Sequence, residues 1–120
     1  MKAIYDIRGE VVGWKALKDI FNLSGNCIAF IDEENVFSLN EFHLGSYNRG
    51  VFRDLQGRVV AFLHGASNTG VELPSIQIDP IPPIIKIPSM HSIPSIPPLP
   101  DPPMPKWGRS WIEFIKEAND

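Results

Sequence analysis

Apolar and polar positions in the first 66 residues recur with a period of 16. One block reads Ile4-Tyr5-Asp6-Ile7, Ile20-Phe21-Asn22-Leu23, Val36-Phe37-Ser38-Leu39 and Val51-Phe52-Arg53-Asp54. A second reads Val11-Val12-Gly13-Trp14, Cys27-Ile28-Ala29-Phe30, His43-Leu44-Gly45-Ser46 and Val59-Val60-Ala61-Phe62. Both are rich in β-branched and aromatic residues, which suit strands. Between them lie Arg8-Gly9, Ser24-Gly25, Asn40-Glu41 and Gln56-Gly57, three of the four offering glycine for the positive φ of a tight turn. Each unit therefore reads as a β-hairpin. Links between units also carry turn residues, Lys18-Asp19, Glu33-Glu34 and Arg49-Gly50. Lys15 to Phe21 has the spacing of a short helix as well, but the register makes Ile20-Phe21 a strand. In this alignment the fourth unit holds one extra residue, Leu55, which a bulge would absorb. Asp6, Asn22, Ser38 and Arg53 then share a column, facing solvent or ringing a mouth.

Isolated hairpins bury too little surface to be stable. Four equal ones closed around an axis share one core and leave few open edges, so the pattern predicts a mainly β, pseudo-fourfold closed arrangement. Gly13, Ala29, Gly45 and Ala61 recur at the constant spacing of 16 and would converge on that axis, where no large side chain fits.

All twelve prolines lie between Pro74 and Pro105. The chain thus divides into a module (1–66), a connection (67–77), a proline-rich tract (78–105) and a C-terminal piece (106–120). Taken in threes, one register of the tract is entirely aliphatic: Ile78, Ile81, Ile84, Ile87, Met90, Ile93, Ile96 and Leu99. Polyproline II has three residues per turn, so this register becomes one ridge of an extended rod, with prolines along a second face. A linker has no need of such a stripe. At about 3.1 Å per residue the ridge would span roughly 68 Å, against a module about 30 Å across. The rod must bend around its own module, or ridges of several chains must meet; self-association is the simpler expectation. The PxxP spacings have no flanking arginine as an anchor for SH3-type recognition. In the C-terminal piece, Ser110 and Glu113 form a capping box ahead of an amphipathic helix bearing Trp111, Phe114 and Ile115. That face, with Trp107 beside it, docks on the module or on another chain. Its polar side carries Glu113, Lys116 and Glu117, with no basic excess to favour a membrane surface.

The residues His43-Leu44-Gly45, Gly50, Asp54 and Gly57 ahead of Val59-Val60-Ala61-Phe62 resemble the small bacterial four-fold β-flower family. So do the proline-rich continuation and the tail with Trp107 and Ser110-Trp111. The resemblance implies the four-hairpin fold and brings no assigned activity.

Net charge is −3 without a basic cluster, which argues against nucleic acid and a polybasic membrane patch. A single cysteine and no signal-peptide or membrane-spanning run point to the cytoplasm. No motif indicates an enzyme, a cofactor or a metal site. Cys27 and His43 share a column with Val11 and Val59, which reads as packing. A nucleophile–base pair would need them adjacent, and no carboxylate is placed to orient the histidine. The expected function is a structural or protein-interaction module, homo-oligomeric or docking another protein through the tract, Trp107 and Trp111. The alternative is a small-molecule binding module or minor enzyme, in which His43, Arg53, Asp54 and His64 would converge at the mouth of the ring.

Overall fold

A computed structural model describes residues 1–77, 81–85 and 99–116. Eight strands, β1 (Lys2–Tyr5), β2 (Val11–Ala16), β3 (Asp19–Phe21), β4 (Cys27–Asp32), β5 (Asn35–Ser38), β6 (His43–Asn48), β7 (Val51–Asp54) and β8 (Val59–Leu63), form a closed barrel. Each pairs antiparallel with its neighbours in sequence, and β8 returns to β1. One helix, α1 (Trp111–Lys116), follows. The mainly β, four-hairpin closed architecture with a short C-terminal helix is the one the repeat predicts. No helix among the described residues is long and apolar enough to cross a membrane.

The four hairpin turns are built alike. In each, a residue at the end of the first strand accepts amide hydrogens through its side chain. Asp6 Oδ1 accepts from Arg8 and Glu10, Asn22 Oδ1 from Ser24 and Asn26, Ser38 Oγ from Phe42, and Asp54 Oδ1 from Gln56 and Arg58. Such side-chain acceptors hold the turn without a partner strand. All four hairpins bulge at the same step, between Ile4/Tyr5, Ile20/Phe21, Val36/Phe37 and Phe52/Arg53. This corrects the sequence alignment. The fourth unit has no extra residue, and the polar column is Asp6, Asn22, Ser38 and Asp54. Arg53 therefore stands in the column of Tyr5, Phe21 and Phe37.

The barrel has two apolar layers. Inside, Ile4, Ile20, Val36 and Phe52 pack with Ala29, Ala61, Ile31 and Leu63 around Trp111 and Phe114. Helix α1 is thus a plug in the flower's centre. Ser110 caps it, its Oγ accepting from the Glu113 amide and donating to the Glu113 carboxylate. The plug explains the small-residue column more closely than convergence on an axis does. A Cβ on Gly13 would lie 2.8 Å from the Phe21 carbonyl oxygen and 3.7 Å from Trp111 Nε1. One on Gly45 would collide with the Arg53 carbonyl and lie 2.9 Å from Phe114 Cε1. Ala29 and Ala61 carry their methyls. At Gly13 the cross-strand carbonyl alone excludes a methyl, Trp111 being at ordinary contact distance; at Gly45 the carbonyl and the Phe114 ring both do.

The outer layer contains Ala3, Tyr5, Trp14, Phe21 and Phe62, covered by Leu73, Ile76, Ile85 and Trp107. The covering segments pass the hairpin turns so closely that a Cβ on Gly9, Gly25 or Gly57 would overlap the carbonyl of Ser75, Ile84 or Pro102. Glu41 reaches φ 68° with a side chain, so close approach adds to the turn's own demand for glycine at the other three. The Gln77 amide donates to the Gly9 carbonyl and the Met104 amide to the Gly57 carbonyl. These partners sit at the same place in the first and fourth units. The described residues of the connection and the tract therefore pass close to the first, second and fourth hairpin turns.

Candidate functional site

Ile76 of the connection and Ile85 of the tract pack against the barrel's outer layer and are partly buried. Ile81, Ile84 and Leu99, three residues of the predicted ridge, are 90%, 94% and 95% exposed. The other five ridge positions, Ile78, Ile87, Met90, Ile93 and Ile96, lie outside the described residues. Exposed aliphatics also mark every hairpin turn at one repeat position: Ile7, Leu23, Leu39 and Leu55. The tryptophans serve the chain's own packing. Trp111 is buried in the plug, and Trp107 lies edge-on to Phe62 at 6.2 Å while its strand-like bridge pairs with Val59.

The four residues of the alternative mouth site sit apart. His64 is exposed beyond the end of β8. The His43 ring meets Phe37 at a tilt, 5.4 Å between centroids, and its Nε2 is buried without a hydrogen-bond partner among the described residues. Burial lowers its pKa, opposed by a backbone hydrogen bond at Gly45. Asp54, fully buried, binds Arg58 at 3.0 Å and Arg109 at 3.6 Å beside its own turn. Arg53, 8% exposed, clamps three separate segments: Nη1 donates to the Gly57 and Met104 carbonyls and Nη2 to the Thr69 carbonyl. Burial pulls its pKa down. Cys27 lies on β4, separated from His43 on β6 by β5. Its thiol pKa is raised by burial first and by Asp19 second, the opposite of nucleophile activation. No group of three or more His, Cys, Asp or Glu among the described residues could hold a metal ion.

The sequence pattern does not reveal a groove on the outer wall of the third unit. Its volume is about 790 Å³, and Asn35, Ser46 and Arg53 line it from β5, β6 and β7, with Leu99 to Pro103 opposite. Cross-strand pairing explains why the groove is there. Trp14 pairs with Phe21, Phe30 with Phe37 and Phe62 with Tyr5; the equivalent fourth pair is Ser46 with Arg53. Three outer walls carry an aromatic pair, and one carries a hydroxyl and a guanidinium. The aligned blocks displayed Ser46 beside Trp14, Phe30 and Phe62, which was the available signal. Its partner was obscured by the one-residue shift in the fourth unit.

Compared with known families, residues 2–115 match the family described as 4-fold beta flower protein. The chain belongs to the 4-fold beta flower family. This β-flower matches no curated protein and no solved structure. The family match spans the barrel, the tract and the described plug, so all three belong to the β-flower unit.

Proposed function

We propose that this β-flower is a structural or protein-interaction module that self-associates through the aliphatic ridge of its proline-rich tract. The observation that carries the reading is the outward position of Ile81, Ile84 and Leu99 on a segment held to the barrel by its other face. A three-residue period is the geometry in which one register faces out and another faces in, and polyproline II supplies it. The turn residues Ile7, Leu23, Leu39 and Leu55 are exposed as well, so the chain offers further aliphatic side chains to a partner. A two-fold arrangement of identical ridges is self-complementary, which favours a second copy over a foreign partner.

The test is the mass of the full chain in solution by light scattering over a dilution series. The expected result is an oligomer that dissociates when Ile81, Ile84 and Leu99 are all replaced by Asp, with the barrel's circular dichroism unchanged. A wild-type chain monomeric at every concentration would refute self-association.

A further inference from the structure

The groove over Ser46 departs from the symmetry of the barrel in shape and in charge. In the other three units the position of Ser46 holds Trp14, Phe30 or Phe62, each paired across the strands with an aromatic residue; the ring centroids are 5.5 Å apart for Phe30 and Phe37 and 5.7 Å for Tyr5 and Phe62. The third unit has space where a ring belongs. Beside that space Arg53 is more than nine-tenths buried, and it forms no ion pair among the described residues. A guanidinium has five N–H donors. Three donate to the carbonyls of Gly57, Met104 and Thr69, leaving two without a partner among the described residues. The groove is also lined by a second cation, Arg49, and by charge of the other sign in Glu33, Glu34 and Asp101. Its volume falls within the range of small-molecule sites.

We propose that this groove binds a small aromatic zwitterion, of which a free aromatic amino acid is the simplest. The ring takes the place that Trp14, Phe30 and Phe62 occupy in their own units. The carboxylate accepts from Arg53, and a charge-assisted contact of this kind is the strong one available in a half-buried site. The ammonium faces the acidic rim. A simple anion would meet three carboxylates there, and a simple cation would meet Arg49 and Arg53; a zwitterion finds a partner for each of its charges.

The experiment is a titration of the ¹⁵N-labelled full chain with L-phenylalanine, followed by NMR. Saturable shifts are expected at the amides of Asn35, Ser46 and Arg53. Glycine, which has both charges and no ring, and phenethylamine, which has no carboxylate, should each bind at least about tenfold more weakly. Ser46→Phe rebuilds the pair found in the other units; it should keep a dispersed spectrum and lose at least about tenfold in affinity. Non-saturating shifts, shifts outside the groove, equal binding of glycine, or unchanged binding to Ser46→Phe would each overturn the proposal. Should that variant fail to fold, phenylalanine against glycine on the wild-type chain decides alone.

Discussion

If α1 is a plug, truncating Phe114 should damage the whole barrel. Its side chain is 1% exposed, touches the Cα side of Gly45 and lies 5.6 Å, centroid to centroid, from Trp111. Trp111 in turn meets Phe52 edge-on at 5.3 Å. Phe114→Ala removes a buried ring from a site that cannot collapse, because the surrounding barrel is closed; such changes cost about 3–5 kcal/mol. Losing the aromatic pair, itself about 0.5–1.5 kcal/mol, argues for the upper half of that range. Against a typical total of about 5–15 kcal/mol, this is a large share of the fold's stability. Urea unfolding should show a stability lower by about 4 kcal/mol, seen as a lower midpoint with unchanged slope. The melting temperature should fall by very roughly 15 °C. Ile112→Ala, on the exposed side of the same helix, should stay within about 0.5 kcal/mol of wild type. A Phe114→Ala loss below about 1 kcal/mol, or an early separate transition followed by unfolding at the wild-type midpoint, would show that the helix is an appendage.

Two further outcomes follow from the same geometry. Gly13→Ala should cost about 1–3 kcal/mol and Gly45→Ala more, because the second methyl meets a backbone carbonyl and the Phe114 ring together; thermal melts giving the reverse order would contradict the plug's placement. His43 has its pKa lowered by burial from the ordinary 6.5, so between that value and its folded value the unfolded chain binds more protons than the folded one. Stability should therefore decline as pH falls below about 6.5, and His43→Val, the residue type of Val11 and Val59 in that column, should flatten that decline. A pH profile identical in the two proteins would exclude His43 as its source.

The barrel was legible because its period is written four times in residues whose chemistry the turn requires. Asp6, Asn22, Ser38 and Asp54 are all short acceptors, and Gly9, Gly25 and Gly57 are all glycines beside a passing chain. The fourth unit was misaligned by one residue because Val51 and Phe52 both resemble the start of an apolar block, and only the hydrogen bonds to Asp54 fix the register. That slip moved Arg53 out of the aromatic column and hid its pairing with Ser46. The plug was legible as an amphipathic helix but not as a centre, since nothing local tells a face bound inside a barrel from one bound outside. The tract's period of three was readable. Which of its isoleucines packs on the barrel was not, because Ile85 looks no more apolar than Ile81 and Ile84, and carbonyl contacts at the turn glycines carry no side-chain signature.

A fourfold barrel covered by single-copy segments cannot remain fourfold in sequence wherever those segments touch it. The departures from the repeat can therefore be assigned to causes. Gly45 differs from Ala29 and Ala61 where the Phe114 ring of the single helix and the Arg53 carbonyl both press on it, and Gly13 where the Phe21 carbonyl does. Arg53 differs from Tyr5, Phe21 and Phe37 because three carbonyls, from Gly57, Thr69 and Met104, meet only at the fourth unit. Ser46 is different. It departs from Trp14, Phe30 and Phe62 without any described segment filling the space it opens, and the groove remains. A departure whose cause lies within the chain needs no ligand; the one at Ser46 leaves a groove beside the buried guanidinium of Arg53, the place the proposed ligand would take. This contrast directs the first ligand titration to the third unit's wall, away from the mouth of the ring.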